Sequence, residues 1–381
     1  MVAGEVSGDM LAARLMAGLR PQLPNVRFHG IGGPRMIEQG LVSDVPIETL
    51  TVRGLFEIIP RYREIKGIQN RLRDRLLAER PAAFIGADYP GFNLGLEEQL
   101  RAEGIPTVHF VSPQIWAWRG GRIKKIKRAV SHMLVIFPFE EAIYRAAGVP
   151  VTYIGHPLAE MIPLAPDVAA ARAALGIAPD ARVVTIMPGS RMGELKYLAA
   201  PFVAAAQLLA RRDPKLVFIA PMAGERQRAY YTEIVNKAGL AEVPVRLVEG
   251  EGRSHAAIAA ADAVLVASGT ATLEVALFKK PMVIAYKVME ASWQIMRHMG
   301  YQPWIGLPNI LAREFVVPEY LQHAATPAAL ADAVQRQLDD PAGREALARR
   351  FLDMHHGLLR NSAEASADAV LRVIGRRKST K

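Results

Sequence analysis

Short β-rich runs alternate with longer helical patterns along the whole chain, the pattern of parallel sheets wrapped by helices. One series of runs lies near Val26–Gly30, Ala82–Ala87, Thr107–Ser112, His132–Phe137 and Val151–Ile154. A second lies near Arg182–Met187, Leu216–Ala220, Val245–Val248, Ala263–Ala267 and Met282–Tyr286. Each run leads through a glycine- or proline-containing loop into a helical stretch. The fold class is therefore α/β, with two doubly wound parallel sheets, and 381 residues give room for two such domains. Between the series, Gly155-His156-Pro157 through Pro163-Leu164-Ala165-Pro166-Asp167 has little periodicity and reads as a linker. The expected division is an N-terminal domain over 1–165, a C-terminal domain over 166–345, and a C-terminal helix with a basic tail over 346–381 that crosses back to the first domain or to a partner subunit. Two sheets joined this way are expected to bring their strand carboxyl ends to a shared cleft, where open α/β sheets bind ligands.

Composition excludes several kinds of chemistry. With no cysteine there is no disulfide framework, thiolate metal site or cysteine nucleophile. The start, Met1-Val2-Ala3-Gly4-Glu5, lacks the basic and apolar stretches of a secretory signal, and no uncharged apolar run reaches the roughly 18 residues that span a bilayer. The expectation is a cytoplasmic protein, or one resting on a membrane. The net charge of +10 is local: Arg53 to Arg75 contributes +4, Arg119 to Arg128 +6 and Arg376 to Lys381 +4, so the remainder is near −4. Such stretches suit surfaces that meet a phosphorylated substrate, an anionic membrane or nucleic acid.

Five loop motifs are placed for chemistry. Gly4-Glu5-Val6-Ser7-Gly8-Asp9 reads as a strand end, a glycine turn and a helix opening at Ser7 or Gly8, where N–H groups attract anions; an ordinary turn with Ser7 as N-cap is the alternative. Asp88, in Gly86-Ala87-Asp88-Tyr89-Pro90-Gly91-Phe92-Asn93, stands at the carboxyl end of an apolar strand, where a carboxylate can act as a general base or simply start a turn. Ser112-Pro113-Gln114-Ile115-Trp116-Ala117-Trp118 puts two indoles beside the densest basic run, suited to a sugar, a phosphate or an interface, or else to a helix with core tryptophans. Pro188-Gly189-Ser190-Arg191, with Glu194 following, leaves a strand and opens a helix, so that the Arg191 guanidinium and helix N–H groups could share a phosphate. Ser268-Gly269-Thr270-Ala271-Thr272-Leu273-Glu274 offers small hydroxyl residues at another helix start, with Glu274 one turn in to accept hydrogen bonds from a ribose diol; a capping arrangement of Thr270 and Glu274 is the alternative.

No G-x-x-x-x-G-K-[ST], D-x-D or H-E-x-x-H motif occurs, so no metal is implied. Of the histidines, His29, His109 and His132 lie on or beside expected strands and read as core groups, while His355-His356 reads as surface.

Together with Gly155-His156-Pro157 and Leu307-Pro308-Asn309, these motifs in this order resemble the lipid-A-disaccharide synthase family, inverting glycosyltransferases of the B fold (GT-B), over essentially the whole chain. The resemblance departs at the start, where the family carries more apolar residues than Met1-Val2-Ala3, so a short first strand is expected. It implies transfer of a 2,3-diacylglucosamine unit from UDP-2,3-diacylglucosamine to 2,3-diacylglucosamine 1-phosphate (lipid X), giving a β-1,6 disaccharide and UDP, with no cofactor. Asp88 is then the leading base and Glu5 a second carboxylate. Arg191, Ser268, Gly269 and Thr270 would hold UDP, with Glu274 on the ribose and Asn309 adding polar contacts. Gly4, Ser7, Gly8, Asp9, Asn93, Gln114 and Trp116 would belong to the acceptor side. Acylated substrates imply a peripheral position on an anionic inner membrane, for which Leu55, Phe56, Ile58, Ile59, Arg61 and Arg63 form a candidate interface. The family also makes a homodimer through exchanged C-terminal segments plausible. The alternatives are another UDP-sugar enzyme of this architecture, a UDP-N-acetylglucosamine 2-epimerase or the peptidoglycan N-acetylglucosaminyltransferase. From a different class comes a non-catalytic nucleic-acid binder, although no nucleic-acid-binding motif is present.

Overall fold

The computed structural model describes residues 1–50, 55–117, 120–297, 300 and 302–375, with the backbone alone at residues 6, 55–60, 295 and 296. The chain forms two units, Met1–Glu160 with Leu358–Lys381, and Met161–Gly357.

Strands form where apolar runs can be buried on both faces, as the interior of a parallel sheet requires. In the first unit these are β1 (Val2–Ala3), β2 (Phe28–Gly30), β3 (Leu41–Ser43), β4 (Phe84–Ala87), β5 (Thr107–Phe110), β6 (His132–Val135) and β7 (Val151–Tyr153). A parallel sheet runs β1-β4-β5-β6-β7, and β2 pairs with β3. The two are joined where Ile31 bridges Val2 on the flank of β1 away from β4. β1 is two residues long, as the short apolar start predicts.

The second unit holds β8 (Val183–Met187), β9 (Val217–Pro221), β10 (Val245–Val248), β11 (Ala263–Ala267), β12 (Met282–Tyr286) and β13 (Glu319–Leu321). They run β10-β9-β8-β11-β12-β13, all parallel. Numbered within the unit this is 3-2-1-4-5-6, the dinucleotide-fold order. Every residue of β8 and β11 is buried.

Several boundaries differ from the sequence reading. β2 begins at Phe28 rather than Val26, and β9 runs one residue later, to Pro221. β3 and β13 are three-residue strands, too short to stand out as apolar runs. The return to the first unit begins at Leu358 rather than 346, because the helix Pro341–Leu358 lies in the second unit as far as Gly357. His355 on that helix is fully buried, with Nδ1 2.7 Å from Lys279 Nζ, so the expected surface position is corrected; His356 is exposed. The last helix, Ser362–Gly375, packs Ala367 and Val370 into the same core as Leu15, Met16 and Leu19 of the helix Val6–Leu19. It is tied down by Glu160, which accepts the Ser362 N–H at 2.7 Å and pairs with Arg14. Among the described residues no helix is long and apolar enough to cross a membrane.

Candidate active site

In the second unit the strand order reverses between β8 and β11, and the loops leaving these strands part to form a pocket of about 270 Å³. Gly189, Ser190 and Arg191 line it from β8, Met222 from β9, and Ser268, Gly269, Thr270 and Glu274 from β11 onward. The loop after β8 is shaped by Glu194, whose Oε2 accepts the N–H groups of Ser190 and Arg191 at 3.0 and 3.1 Å. Gly189 sits at φ 118°, and a Cβ there would overlap the Glu194 side chain, so this turn needs glycine. Arg191 caps the helix Met192–Arg212 with its side chain 81 % exposed beside the pocket, paired with Glu194 at 3.2 Å.

Across the pocket, the helix Thr270–Leu277 begins with exposed Gly269 and Thr270, so its first N–H groups face the opening. Ser268 Oγ donates to Ile305 O at 2.9 Å. Thr272 Oγ1 donates to Gly269 O at 2.8 Å and accepts the Leu307 N–H at 3.2 Å, fastening this helix start to the segment that follows β12. Burial raises the Glu274 carboxyl above the usual range, and His255, 3.8 Å away, pulls it partly back. Such a wall, with one arginine, two helix starts and a half-buried carboxylate, matches a phosphorylated ligand that also carries hydroxyls. Asn309 does not face this wall. It is fully buried, donating to Val317 O and Glu319 Oε1 at 2.9 and 2.7 Å and accepting the N–H groups of Val316 and Val317.

The first unit has its own reversal, between β1 and β4, with the pair β2–β3 on the far side of β1. Ala3 lies in register with Ala87, so Gly4-Glu5 and Asp88 leave the sheet side by side. Asp88 and Tyr89 both adopt left-handed backbone angles, φ 54° and 48°. Oδ1 of Asp88 accepts the Tyr89 N–H at 2.8 Å. The Tyr89 ring packs on Gly4, where a Cβ would come within 2.5 Å of it. Its hydroxyl is held above the usual phenol range, first by burial and then by the negative charge of Glu5, with Arg61 acting in the opposite sense. Glu5 is exposed at the N-cap of the helix Val6–Leu19, and Ser7 is exposed in its first turn.

Other candidates have structural partners. Asp9 is buried and accepts the N–H groups of Gly33, Arg35 and Met36 at 2.8, 3.1 and 3.1 Å, capping the helix Pro34–Glu38. Gly8 lets the helix Val6–Leu19 approach Ala87 O, 3.0 Å from where a Cβ would stand. Asn93 is fully buried under the Asp88 turn. Trp116 is 7 % exposed and packs edge-on to Phe137 and Phe139, with ring centroids at 6.4 and 5.3 Å, while Gln114 on the same loop is exposed. Trp118, Arg53 and the side chains of Leu55, Phe56, Ile58 and Ile59 lie outside the described residues. Arg61 donates to Thr49 O at 2.9 Å and pairs with Glu64, and Arg63 is exposed.

A family model for lipid-A-disaccharide synthetase matches residues 1–370. A lipid-A-disaccharide synthase from Aromatoleum aromaticum is 50% identical over 376 residues, covering 99% of this chain and 96% of that protein. Another from Paraburkholderia xenovorans is 52% identical over 381 residues, covering 100% and 97%. The chain belongs to the lipid-A-disaccharide synthase family. It is therefore a hexosyltransferase, and its paired dinucleotide-like units are the GT-B fold. The same fold occurs in the Anabaena protein HepE crystallised with UDP-glucose, at TM-score 0.56 and 14% identity, covering 100% of this chain and 98% of that one. A putative UDP-N-acetylglucosamine 2-epimerase from Listeria monocytogenes also shares it, at TM-score 0.61 and 12% identity, covering 100% and 96%. The fold alone does not separate transferase from epimerase. The family match does, because it extends through the motifs of both units.

Sequence reasoning missed Glu194 as the residue that folds the Arg191 loop, His255 beside Glu274, and Tyr89 against Gly4 and Glu5. Of these Tyr89 carried a local signal, its place between Asp88 and a proline, and so did Glu194, three residues after Arg191 at the capping-box spacing.

Proposed function

We propose that the chain condenses UDP-2,3-diacylglucosamine with 2,3-diacylglucosamine 1-phosphate, giving the β-1,6 lipid A disaccharide 1-phosphate and UDP, with the nucleotide held in the second unit and the base supplied by the first. The observation that carries this is the pocket at the β8/β11 reversal, where Arg191 and the Thr270 helix start converge in a chain of this family.

The Asp88 carboxylate takes the proton of the acceptor's 6-hydroxyl as that oxygen attacks the anomeric carbon of the donor. The bond from that carbon to the diphosphate oxygen breaks on the opposite side, its electron pair leaves with UDP, and configuration inverts. With Oδ1 of Asp88 committed to the Tyr89 N–H, Oδ2 is the oxygen that receives the proton. Glu5 stands beside it to orient the acceptor. Arg191 and the N–H groups at Thr270 and Ala271 stabilise the negative charge that grows on the leaving diphosphate, and Glu274 accepts from the ribose hydroxyls.

Because both sugars carry acyl chains, the enzyme works as a peripheral protein on the cytoplasmic side of an anionic membrane. The start of the helix Leu55–Glu79, with Arg61, Arg63 and Tyr62, which is 60% exposed, is the contact we assign to it.

Incubation with the acylated UDP sugar and its 1-phosphate acceptor, followed by mass analysis, tests the reading. Equal amounts of disaccharide 1-phosphate and UDP are expected. Epimerised UDP-N-acetylglucosamine, or transfer from the unacylated donor alone, would overturn it.

A further inference from the structure

We propose that Asn93 is a positioning residue that aims the Asp88 carboxylate by holding one peptide plane, the one joining Asp88 to Tyr89. The inference rests on Asp88 being the base. The C=O of this peptide accepts Asn93 Nδ2 at 2.8 Å, and its N–H donates to Oδ1 of Asp88 at 2.8 Å. Asn93 therefore grips one end of the plane whose other end grips the carboxylate.

The plane needs such a grip. Asp88 and Tyr89 are consecutive residues with side chains in the left-handed region, a conformation that persists only where its surroundings over-determine it. Rotation of the peptide toward ordinary angles would break both hydrogen bonds together and release the carboxylate. Two further ties fix the grip. Asn93 Nδ2 also reaches Val2 O in β1, at 3.4 Å, and the Asn93 backbone N–H donates to Tyr89 O at 3.1 Å. β1 is the strand that delivers Glu5, so one amide ties the turn of one carboxylate to the strand of the other.

Asn93 is fully buried, which keeps it from touching a sugar. Its Oδ1 has no hydrogen-bond partner. Burying the amide with Oδ1 unpaired carries a desolvation cost. What the amide contributes here is its donor, directed at Asp88 O.

The test compares Asn93→Ala, Asp88→Asn and the double variant in the disaccharide assay, with thermal melts and UDP titrations as controls. Asn93→Ala is expected to lower kcat by about 10- to 100-fold through misalignment, with KM for both sugars within about threefold and UDP affinity unchanged. In the Asp88→Asn background the same change is expected to shift the residual rate by less than about threefold, because a group that only aims the base has nothing left to aim. A kcat for Asn93→Ala within about threefold of wild type overturns the inference, and so does a further loss of about tenfold in the double variant. If Asn93→Ala shows no cooperative melting transition, Asn93→Leu, which keeps the volume and removes the donor, is read by the same criteria. An Asp88→Asn enzyme that keeps more than about a tenth of its turnover removes the base assignment itself. A collapsed Asp88→Asn beside a normal Asn93→Ala removes only the role of Asn93.

Discussion

The imidazole of His255 stands 3.8 Å from the carboxylate of Glu274, Nε2 to Oε2, beside the pocket at the β8/β11 reversal. Burial raises the Glu274 carboxyl and the histidine opposes that shift. The ionised carboxylate is the form that accepts from a ribose diol, and it prevails above the raised pKa. UDP affinity is therefore expected to fall on acidification, starting at a higher pH than an exposed carboxylate near 4.5 would give. His255→Ala removes the opposing pull and moves the fall to still higher pH. Calorimetric titration of UDP at a series of pH values checks this; a flat profile for wild type would contradict it.

Gly189→Ala places a methyl group where Glu194 packs and asks alanine to adopt φ 118°. The loop must then rearrange and carry Arg191 away. UDP affinity is expected to fall at least about tenfold, a loss of roughly 1.4 kcal/mol, while the melting temperature drops only modestly. Unchanged affinity would show that the Glu194-folded turn does not shape the site.

Asp9→Ala leaves three N–H groups of Gly33, Arg35 and Met36 without their acceptor in a buried place. A stability loss of roughly 1–3 kcal/mol is expected in denaturant unfolding, with UDP affinity intact. If UDP binding weakened in parallel, Asp9 would have a reach beyond its own unit that its hydrogen bonds do not show.

Glu140 is 1 % exposed, and burial pushes its carboxyl from 4.5 up to about 7, against the N–H of Phe137 and other donors that lower it. The folded chain thus keeps a proton that the unfolded chain releases. This contribution to stability is complete below about 4.5 and disappears as pH rises through about 7. Glu140→Gln, neutral throughout, should gain in melting temperature relative to wild type between pH 5 and pH 8. A constant difference at both pH values would contradict the shift.

The central strands β4, β5, β8 and β11 were legible because they are buried on both faces and read as apolar runs, and β7 and β10, half-buried, were legible from their β-branched residues between glycine- or proline-containing loops. β3 and β13 were not, being three-residue strands with exposed or half-buried positions. Arg191, Ser268, Gly269, Thr270 and Glu274 could be grouped from sequence because each follows a strand in a glycine-marked loop, and the structure brings them to one pocket. The roles of Asp9 and His255 could not be read, since their partners lie far along the chain: Asp9 meets Gly33 to Met36, and His255 meets Glu274. Asn309 shows the reverse error. A polar residue in a motif looked available for a ligand, but its amide is fully engaged within the fold. His355 read as surface because its immediate neighbours are polar, although it continues the buried stripe of Leu347, Phe351 and Leu358 at helical spacing, on the face that meets Lys279.

Binding of UDP at the β8/β11 reversal is tested most directly by titrating UDP into wild-type protein and Arg191→Ala under the same conditions. Saturable binding to the wild type is predicted, with affinity reduced at least about tenfold in the variant and the melting temperature unchanged, since the Arg191 side chain is 81 % exposed. Equal affinities in the two proteins, or no binding of UDP to either, would contradict the account.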